Sequence, residues 1–185
     1  MKVVKFGGSS LASAEQVRKV CDIVVCDAER KIVVVSAPGK RETADSKVTD
    51  LLIAAANARL GGQPGEVEID RVIARYAAIA ADLGLPDGAT DDIAADLRAR
   101  LAMATADAGL YLDTLKAAGE DNCAKLVATY LRARGVDAHY VDPRAAGMVL
   151  SEESGNARVL EEAYARLSTL RDLPGRLIFP GFFGY

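Results

Sequence analysis

The sequence predicts an α/β protein, a three-layer α/β/α sandwich built on a mainly parallel sheet. Two observations lead to this prediction. Short runs rich in β-branched residues alternate with amphipathic helical segments along the whole 185-residue chain. In addition, 50% of the residues are hydrophobic and 26% are charged, the ordinary composition of a globular domain with a substantial core. We therefore expect one domain over residues 1–185.

The first predicted elements form a strand–helix–strand unit. Residues 2–6 (KVVKF) are a short buried strand, and residues 7–10 (GGSS) are the turn that ends it. The helix that follows has capping-box spacing at Ser13 and Gln16, and its apolar residues recur at intervals of three and four. Residues 31–36 (KIVVVS) are rich in β-branched residues without a break, which is typical of a central strand covered on both faces.

The remaining segments continue the alternation of helices and strands. An Ala-rich region at 66–117 predicts two helices, because a turn with Gly and Pro at 84–88 interrupts its helical periodicity. Gly119 and Glu120 are predicted to open a further helix, which ends before Gly135. The other predicted elements are a polar loop at 37–46, a helix at 48–60, strands at 137–141, 148–150 and 176–182, and a helix at 156–171.

The composition argues against several classes of function. A formal net charge of -3 and a pI of about 5.3 leave no broad basic surface, so we expect no nucleic-acid partner. No apolar stretch approaches the roughly 18 residues of a membrane span, and the chain enters a strand directly after Met1 and Lys2. Cys21, Cys26 and Cys123 lack CxxC spacing, which favours a reducing cytoplasm over disulfides or a zinc site. Cys21 falls on the apolar face of the first helix and is predicted to be a core residue.

The segment KFGGSS at 5–10 has the features of an anion-binding turn. Lys5 stands at the end of a strand and supplies a positive charge, and Gly7 and Gly8 let backbone N–H groups approach phosphate oxygens closely. Ser9 adds a hydroxyl, and the start of the next helix is expected to add the positive end of its dipole. The lysine precedes the glycines, so the segment is not a Walker A loop. Taken alone, GGSS is more often only a turn.

Five segments, in order, resemble the aspartate kinases of the amino acid kinase family. They are KFGGSS, VVVSAPGK at the end of the second strand, VTDLLIA at a helix start, AAGEDNCAKLVATYLRARGVDAHYVDP, and FPGFFGY at the end of the chain. The resemblance implies the amino acid kinase (carbamate kinase-like) fold. It also implies ATP-dependent phosphorylation of the L-aspartate β-carboxylate to 4-phospho-L-aspartate, the first step toward lysine, threonine and methionine. It further implies that the nucleotide carries Mg²⁺ and that the protein itself has no metal site. It also implies a homo-oligomer.

The resemblance assigns a phosphoryl-binding role to four residues. It makes Lys5 the catalytic residue that neutralises charge on the transferred group, and it makes Gly7, Gly8 and Ser9 further phosphate or nucleotide contacts. Ser9 stands where many members of the family have threonine. The hydroxyl is retained, so we expect little change in chemistry.

On the substrate side the resemblance implies four contacts with aspartate. Ser36 and Thr49 line the pocket, Glu120 faces the substrate ammonium, and Phe182 closes over it. Each of the polar residues has an alternative role: Ser36 can end a strand, Thr49 can face solvent, and Glu120 can sit in the first turn of a helix. The β-carboxylate of aspartate, with a pKa of about 3.9, is already ionised at neutral pH and needs no general base. His139, in a strand, is therefore predicted to be structural.

The resemblance ends before the Arg-Gly-Gly-Ser-Asp segment, the nucleotide-binding half and the ACT domains of a complete aspartate kinase. We therefore expect residues 1–185 to be the N-terminal, aspartate-binding part of such a domain, with a truncated fold and no activity alone. Ile178, Phe179, Phe182 and Phe183 are predicted to be left exposed and to drive self-association. Two alternatives stay open: a kinase for a glutamate-type carboxylate, or an assembly module without activity.

Overall fold

The fold is built on a four-stranded parallel sheet. The computed structural model describes residues 1–153 and 155–182. Its strands are β1 (Lys2–Phe6), β2 (Arg30–Val35), β3 (Ala138–Tyr140) and β4 (Arg176–Pro180), in the spatial order β1-β2-β4-β3. Each neighbouring pair of these strands is parallel. The predicted parallel sheet is confirmed.

Helices lie on both faces of the sheet. They are α1 (Ala14–Val25), α2 (Val48–Leu60), α3 (Glu66–Asp82), α4 (Asp91–Leu101), α5 (Ala108–Ala133) and α6 (Glu161–Ser168), with 3-10 turns at Gly8–Leu11 and Thr169–Asp172. On one face α1 and α5 pack against the sheet, and α2, α3 and α4 pack against α5. On the other face α6 and the turn after it cover part of the sheet. These three layers confirm the predicted α/β/α sandwich.

Side chains of β2 and β4 alternate between two hydrophobic cores. Val33 and Ile178 lie in the larger core with α1, α2 and α5. Leu177 and Phe179 lie in the smaller core under α6. This two-sided burial is what the β-branched run at 31–36 predicted. Cys21 is fully buried in the larger core, as predicted, and burial raises the pKa of its thiol to about 12.

Helix α5 differs from the prediction, because it is one helix of 26 residues that begins at Ala108 and not at Gly119. Asp107 caps it by accepting a hydrogen bond of 2.9 Å from the Leu110 N–H. Gly119 lies in mid-helix because α5 approaches its neighbours closely there: a Cβ at this position would lie 2.8 Å from the Ala37 Cβ. Even α5 lacks the apolar run that a membrane span requires, and so does every other helix in the described part of the chain.

The turn after β1 also differs from the prediction. GGSS leads into a single 3-10 turn and not directly into a helix, with the Ser10 N–H donating to the Gly7 carbonyl at 3.0 Å. Helix α1 begins at Ala14, where the predicted cap Ser13 accepts a hydrogen bond from the Gln16 N–H at 3.4 Å. The α1 dipole therefore does not begin at GGSS, and the helix contribution expected there is wrong.

The segment around α6 is less regular than predicted. The strand expected at 148–150 is reduced to one antiparallel bridge between Leu150 and Val159. The helix expected at 156–171 is shorter, because α6 gives way to a 3-10 turn after Ser168. Only one residue of α6, Ala163, is buried, so little tertiary packing is available to extend this helix.

The apolar residues near the C-terminus are mostly covered by the fold itself. Strand β4 lies between β2 and β3, and its Ile178 and Phe179 are 0% and 6% exposed. The expectation that Ile178 and Phe179 are left exposed is therefore wrong. Phe182 is 53% exposed, whereas Phe183 and the two residues after it lie outside the described residues. Self-association stays a prediction.

Candidate active site

The carboxyl ends of three parallel strands meet at one edge of the sheet. The hydrogen-bond ladder continues past β2 and β4: Ser36 donates its N–H to the Phe6 carbonyl at 3.1 Å, and Gly181 donates to the Val35 carbonyl at 2.9 Å. Lys5 lies one residue before the end of β1, at the same edge. In open α/β sheets, ligands bind at the carboxyl ends of the strands. This edge is therefore the candidate site.

The side chain of Glu120 extends from α5 to this edge. The backbone N–H groups of Phe182 and Ala37, the hydroxyl of Ser36 and the Lys5 ammonium lie near its carboxylate and each lowers its pKa. Three residues that the resemblance assigned to the site, Lys5, Ser36 and Phe182, thus come from three separate segments and surround the carboxylate of a fourth, Glu120. The alternative placement of Glu120 in a helix first turn is excluded, because it lies in the middle of α5.

The Glu120 carboxylate is only partly satisfied. Burial raises its pKa above the ordinary value of 4.5, and the neighbouring donors and Lys5 oppose that shift without cancelling it. Its Oε2 is buried and has no hydrogen-bond partner among the described residues, so none of the donors reaches this atom in hydrogen-bond geometry. A buried carboxylate oxygen without a partner is unfavourable. A cationic donor such as an ammonium group would satisfy it.

Asp121, the next residue on α5, is fully partnered in contrast. Its side chain is buried, and its Oδ2 lies 2.5 Å from an Arg100 nitrogen and 3.1 Å from the Lys125 ammonium. The Tyr140 hydroxyl donates a hydrogen bond to Oδ1. These contacts tie α4, α5 and β3 together, so Asp121 supports the fold.

Gly7 and Gly8 differ in what the fold requires of them. A Cβ on Gly8 would lie 2.8 Å from the Ala37 carbonyl oxygen, and the Gly39 N–H donates to the Gly8 carbonyl at 2.8 Å. Two backbones cross in contact here, which explains the glycine at position 8. Gly7 has a φ of −80°, which any residue adopts, and a Cβ there would meet no atom within 4 Å. The described fold gives no reason for glycine at position 7, and the space over it is open to a ligand.

Ser9 and Thr49 are less closely tied to Glu120. Thr49 is half-buried in the first turn of α2, which begins where the Val48 N–H donates to the Pro38 carbonyl at 3.1 Å. Ser9 is exposed in the 3-10 turn. Neither side chain is among the groups that act on the Glu120 carboxylate. Their roles stay predictions.

Sequence analysis missed two buried polar residues on α3. Arg75 is 6% exposed and bonds Asp45 at 2.6 Å, and Tyr76 is fully buried and donates its hydroxyl to a backbone carbonyl of α5 at 2.5 Å. A signal was available, because Arg75 follows Val72 at helical spacing within an apolar stripe. A charged residue in such a stripe is buried only with a partner.

Other features of the chain lie apart from the site. His139 is half-exposed on β3 and pairs with Asp137 at 2.7 Å. A cavity of about 700 Å³ beside β3, lined in part by Val141, Arg166 and Leu170, shares no residue with the site. Within the ranges that the structure describes, no three His, Cys, Asp or Glu side chains are grouped to hold a metal ion. We therefore place the candidate site at the Glu120 carboxylate and not at the cavity beside β3.

Comparison with known families agrees with this fold and this site. The model of the amino acid kinase family matches residues 1–185. The chain belongs to that family.

Among its relatives are aspartate kinases. The chain is 51% identical over 185 residues to aspartokinase 3 of Bacillus subtilis (strain 168), a match that covers 100% of this chain and 41% of that protein. The structure of Escherichia coli aspartokinase III in complex with lysine and aspartate matches 97% of this chain with a TM-score of 0.80 and 31% identity, and 40% of that chain is covered. The same enzyme in complex with aspartate and ADP gives a TM-score of 0.76 and 28% identity over 98% of this chain and 41% of that one. The chain thus spans about two fifths of the length of these relatives.

Proposed function

We propose that residues 1–185 form the aspartate-binding part of an aspartate kinase. The proposed reaction transfers the γ-phosphoryl group of ATP to the β-carboxylate of L-aspartate and gives 4-phospho-L-aspartate and ADP. The observation that carries the proposal is the buried, unpartnered Oε2 of Glu120, at the strand edge that also holds Lys5. One site thus offers a negative group to an ammonium and a positive group to a phosphoryl oxygen. The 51% identity to a Bacillus aspartokinase supports aspartate as the acceptor.

In the proposed mechanism Glu120 binds the α-ammonium of aspartate, and the Ser36 hydroxyl and the Phe182 N–H hold the Glu120 carboxylate in place. The substrate β-carboxylate then faces Lys5. An oxygen of this carboxylate forms a bond to the γ-phosphorus while the bond from phosphorus to the bridging oxygen breaks, and that electron pair leaves with ADP. Lys5 neutralises charge on the transferred group, which is the main burden of phosphoryl transfer.

The glycine turn has the features that a polyphosphate requires. The space over Gly7 is open and Lys5 is exposed, so backbone N–H groups and an ammonium are available to phosphate oxygens. ATP would supply the phosphoryl group, with Mg²⁺ on its phosphates. Because the chain spans about two fifths of its relatives, we expect residues outside 1–185 to hold the adenine.

The proposed biological setting is amino-acid biosynthesis in the cytoplasm. The product would lead toward lysine, threonine and methionine. Cys21, Cys26 and Cys123 are all free thiols, which suits a reducing compartment. We also propose a homo-oligomer, for which the exposed Phe182 is a candidate contact.

Joining residues 1–185 to the rest of Bacillus subtilis aspartokinase 3, in place of the matched segment, tests the proposal. We call this protein the grafted enzyme. Residues 1–185 alone are expected to give no aspartate-dependent ATP turnover, because they contain only one side of the proposed site. The grafted enzyme is expected to form an acyl phosphate, which hydroxylamine traps as a hydroxamate. Glutamate in place of aspartate tests the choice of acceptor.

Three outcomes would contradict the proposal. Robust turnover by residues 1–185 alone would show that the site is not divided between this chain and later residues. A grafted enzyme that is folded by circular dichroism but inactive with aspartate, or that prefers glutamate, would refute the proposed function.

Alanine substitutions at Gly7 and Gly8 are expected to distinguish a glycine that leaves space for a ligand from one that the backbone packing requires. Gly7→Ala should leave the free energy of unfolding within about 0.5 kcal/mol, because its φ of −80° suits alanine and the added Cβ meets nothing. Gly8→Ala should lower it by about 1–3 kcal/mol, because the Cβ would crowd the Ala37 carbonyl oxygen. Both should slow the grafted enzyme by roughly tenfold or more. Urea unfolding and steady-state kinetics check these values, and full activity of Gly7→Ala would show that no ligand uses the space.

A further inference from the structure

Two consecutive residues of α3, Arg75 and Tyr76, contact the two halves of the candidate site from outside. Arg75 is 6% exposed and Tyr76 is 0% exposed. They belong to the region 66–117, which carries none of the residues that the resemblance assigned to the site. Both are buried polar groups, and a buried polar group is stable only with a hydrogen-bond partner.

Arg75 holds both ends of the loop between β2 and α2. Its guanidinium donates to the Gly39 carbonyl at 3.2 Å near the start of the loop. At the other end it donates to both carboxylate oxygens of Asp45 at 2.6 Å and to the Ser46 carbonyl at 3.3 Å. A planar guanidinium with several fixed donors is suited to join groups that lie in different directions. Arg75 therefore joins the two ends of the loop, and Arg41 adds a further bond to Asp45 at 2.9 Å within it.

The loop in turn contacts the glycine turn. The Gly39 N–H donates to the Gly8 carbonyl at 2.8 Å, and a Cβ on Gly39 would lie 2.8 Å from the Gly8 carbonyl carbon. The same loop begins with Ala37, whose N–H acts on the Glu120 carboxylate. A shift of the loop therefore moves the proposed phosphate turn.

Tyr76 contacts the other half of the site. Its hydroxyl donates to the Gly119 carbonyl at 2.5 Å, one residue before Glu120. At Gly119 the helix also packs closely on Ala37, Leu52 and Val48, so this is the point where α5 is fixed against the loop.

We propose that Arg75 and Tyr76 are positioning residues of the kinase site. Arg75 fixes the loop between β2 and α2 and, through Gly39, the glycine turn at Gly8. Tyr76 fixes the segment of α5 that carries Glu120. This inference rests on the proposed function, because it assigns the two held segments to phosphate and to aspartate. Phosphoryl transfer is sensitive to such positioning, since a displacement of about 1 Å can cost about a hundredfold in rate.

A KM-against-kcat comparison in the grafted enzyme tests the role of Tyr76. Tyr76→Phe removes only the hydroxyl, and it should raise the KM for aspartate about three- to tenfold with kcat unchanged within about twofold. Tyr111→Phe is the matched control, because Tyr111 is also buried on a helix and donates to a backbone carbonyl, that of Leu101, at 2.9 Å. The control should lose comparable stability and leave both kinetic constants within about twofold.

A different response is expected at Arg75. Arg75→Lys keeps the charge but loses the planar fork, so kcat should fall about ten- to a hundredfold. In the 185-residue chain, the backbone N–H groups of residues 8–10 and of Ala37, Gly39 and Lys40 should exchange with solvent faster than in the Tyr111→Phe variant. Asp45→Asn is a second variant, for use where Arg75→Lys does not fold. It keeps an acceptor for Arg75, so we expect a smaller fall in kcat and a smaller rise in amide exchange.

The outcomes separate this inference from the proposed function. An unsubstituted grafted enzyme without aspartate kinase activity would refute the function. An active grafted enzyme in which Tyr76→Phe behaves like Tyr111→Phe would overturn the role of Tyr76. An unchanged kcat in Arg75→Lys or in Asp45→Asn, with unchanged amide exchange, would overturn the role of Arg75.

Discussion

Lys5→Met is expected to lower the kcat of the grafted enzyme by about a hundred- to a thousandfold. The ammonium of Lys5 lies at the strand edge and is exposed, so its removal leaves no buried cavity. What is lost is a charge that matters most when charge redistributes in the transition state, so kcat falls much more than binding does. Steady-state kinetics measures the effect, and urea unfolding should show a change of less than about 0.5 kcal/mol in the free energy of unfolding.

Lys2→Met is the matched control for this prediction. Lys2 lies on the same strand, is also exposed, and pairs with Asp27 at 2.8 Å and with Glu29 at 3.3 Å. Exposed pairs of this kind contribute about 0–1 kcal/mol to stability, and they lie away from the carboxyl edge of the sheet. Lys2→Met should therefore leave kcat unchanged. If Lys5→Met and Lys2→Met gave similar kcat values, the catalytic role of Lys5 would be wrong.

Glu120→Gln is expected to weaken aspartate binding and yet stabilise the chain without ligand. An amide cannot pair with the substrate ammonium as a carboxylate does. Removing one member of a buried charged pair costs about 2–5 kcal/mol, which corresponds to a dissociation constant at least about thirtyfold higher. Without ligand, however, the substitution removes a carboxylate whose charge is opposed by burial.

The direction of the stability change depends on pH. The folded-state pKa of Glu120 lies above its ordinary value of 4.5, so between these two values the folded chain binds more protons than the unfolded chain. The free energy of unfolding therefore falls as pH rises through this window and stays lower at neutral pH. Glutamine does not ionise, so Glu120→Gln should match the original chain near pH 4 and be more stable at pH 7. Urea unfolding at both pH values measures this difference. The slope of the free energy of unfolding against urea concentration should be unchanged by the substitution.

Asp121→Asn provides the contrast on the same helix. Asp121 is bonded to Arg100, Lys125 and Tyr140, so removing its charge should destabilise the chain by about 3–5 kcal/mol at neutral pH. A general effect of α5 on stability would change the free energy of unfolding of Glu120→Gln and Asp121→Asn in the same direction. Opposite changes would therefore be hard to obtain in that way. A Glu120→Gln variant that is less stable at pH 7, or that binds aspartate normally, would contradict the assignment.

The strand edge could be predicted from the sequence because its signals are local. KVVKF ends at two glycines and KIVVVS ends at a polar loop, so the ends of β1 and β2 are marked by a few adjacent residues. Parallel pairing then brings Lys5 and Ser36 to the same edge. The order of the strands is not local, because β4 is last in the sequence but lies between β2 and β3. Nothing in the residues of β4 specifies these neighbours.

Gly119 shows why other parts of the site could not be predicted. A glycine favours a helix boundary on intrinsic propensity, but at this position the missing Cβ permits close packing on Ala37. The pattern on α3 likewise shows which face is buried but not that Arg75 meets Asp45, 30 residues earlier. The unpartnered oxygen of Glu120 exists only because three strand ends surround it. Each of these features depends on tertiary contacts that no local pattern contains.

Glu120 and Asp121, which are adjacent on α5, differ in how the fold engages their carboxylates. Both oxygens of Asp121 are engaged by other elements of the fold, whereas Oε2 of Glu120 has no hydrogen-bond partner in the described part of the chain. Under the proposed function, a change at residue 120 is therefore expected to alter the charge of the accepted amino acid without loosening the scaffold. The same exchange at residue 121 would break polar contacts that join α4 and β3 to α5. If Glu120 binds the substrate as proposed, substrate selectivity and folding stability are set by two neighbouring positions of a single helix and can change independently.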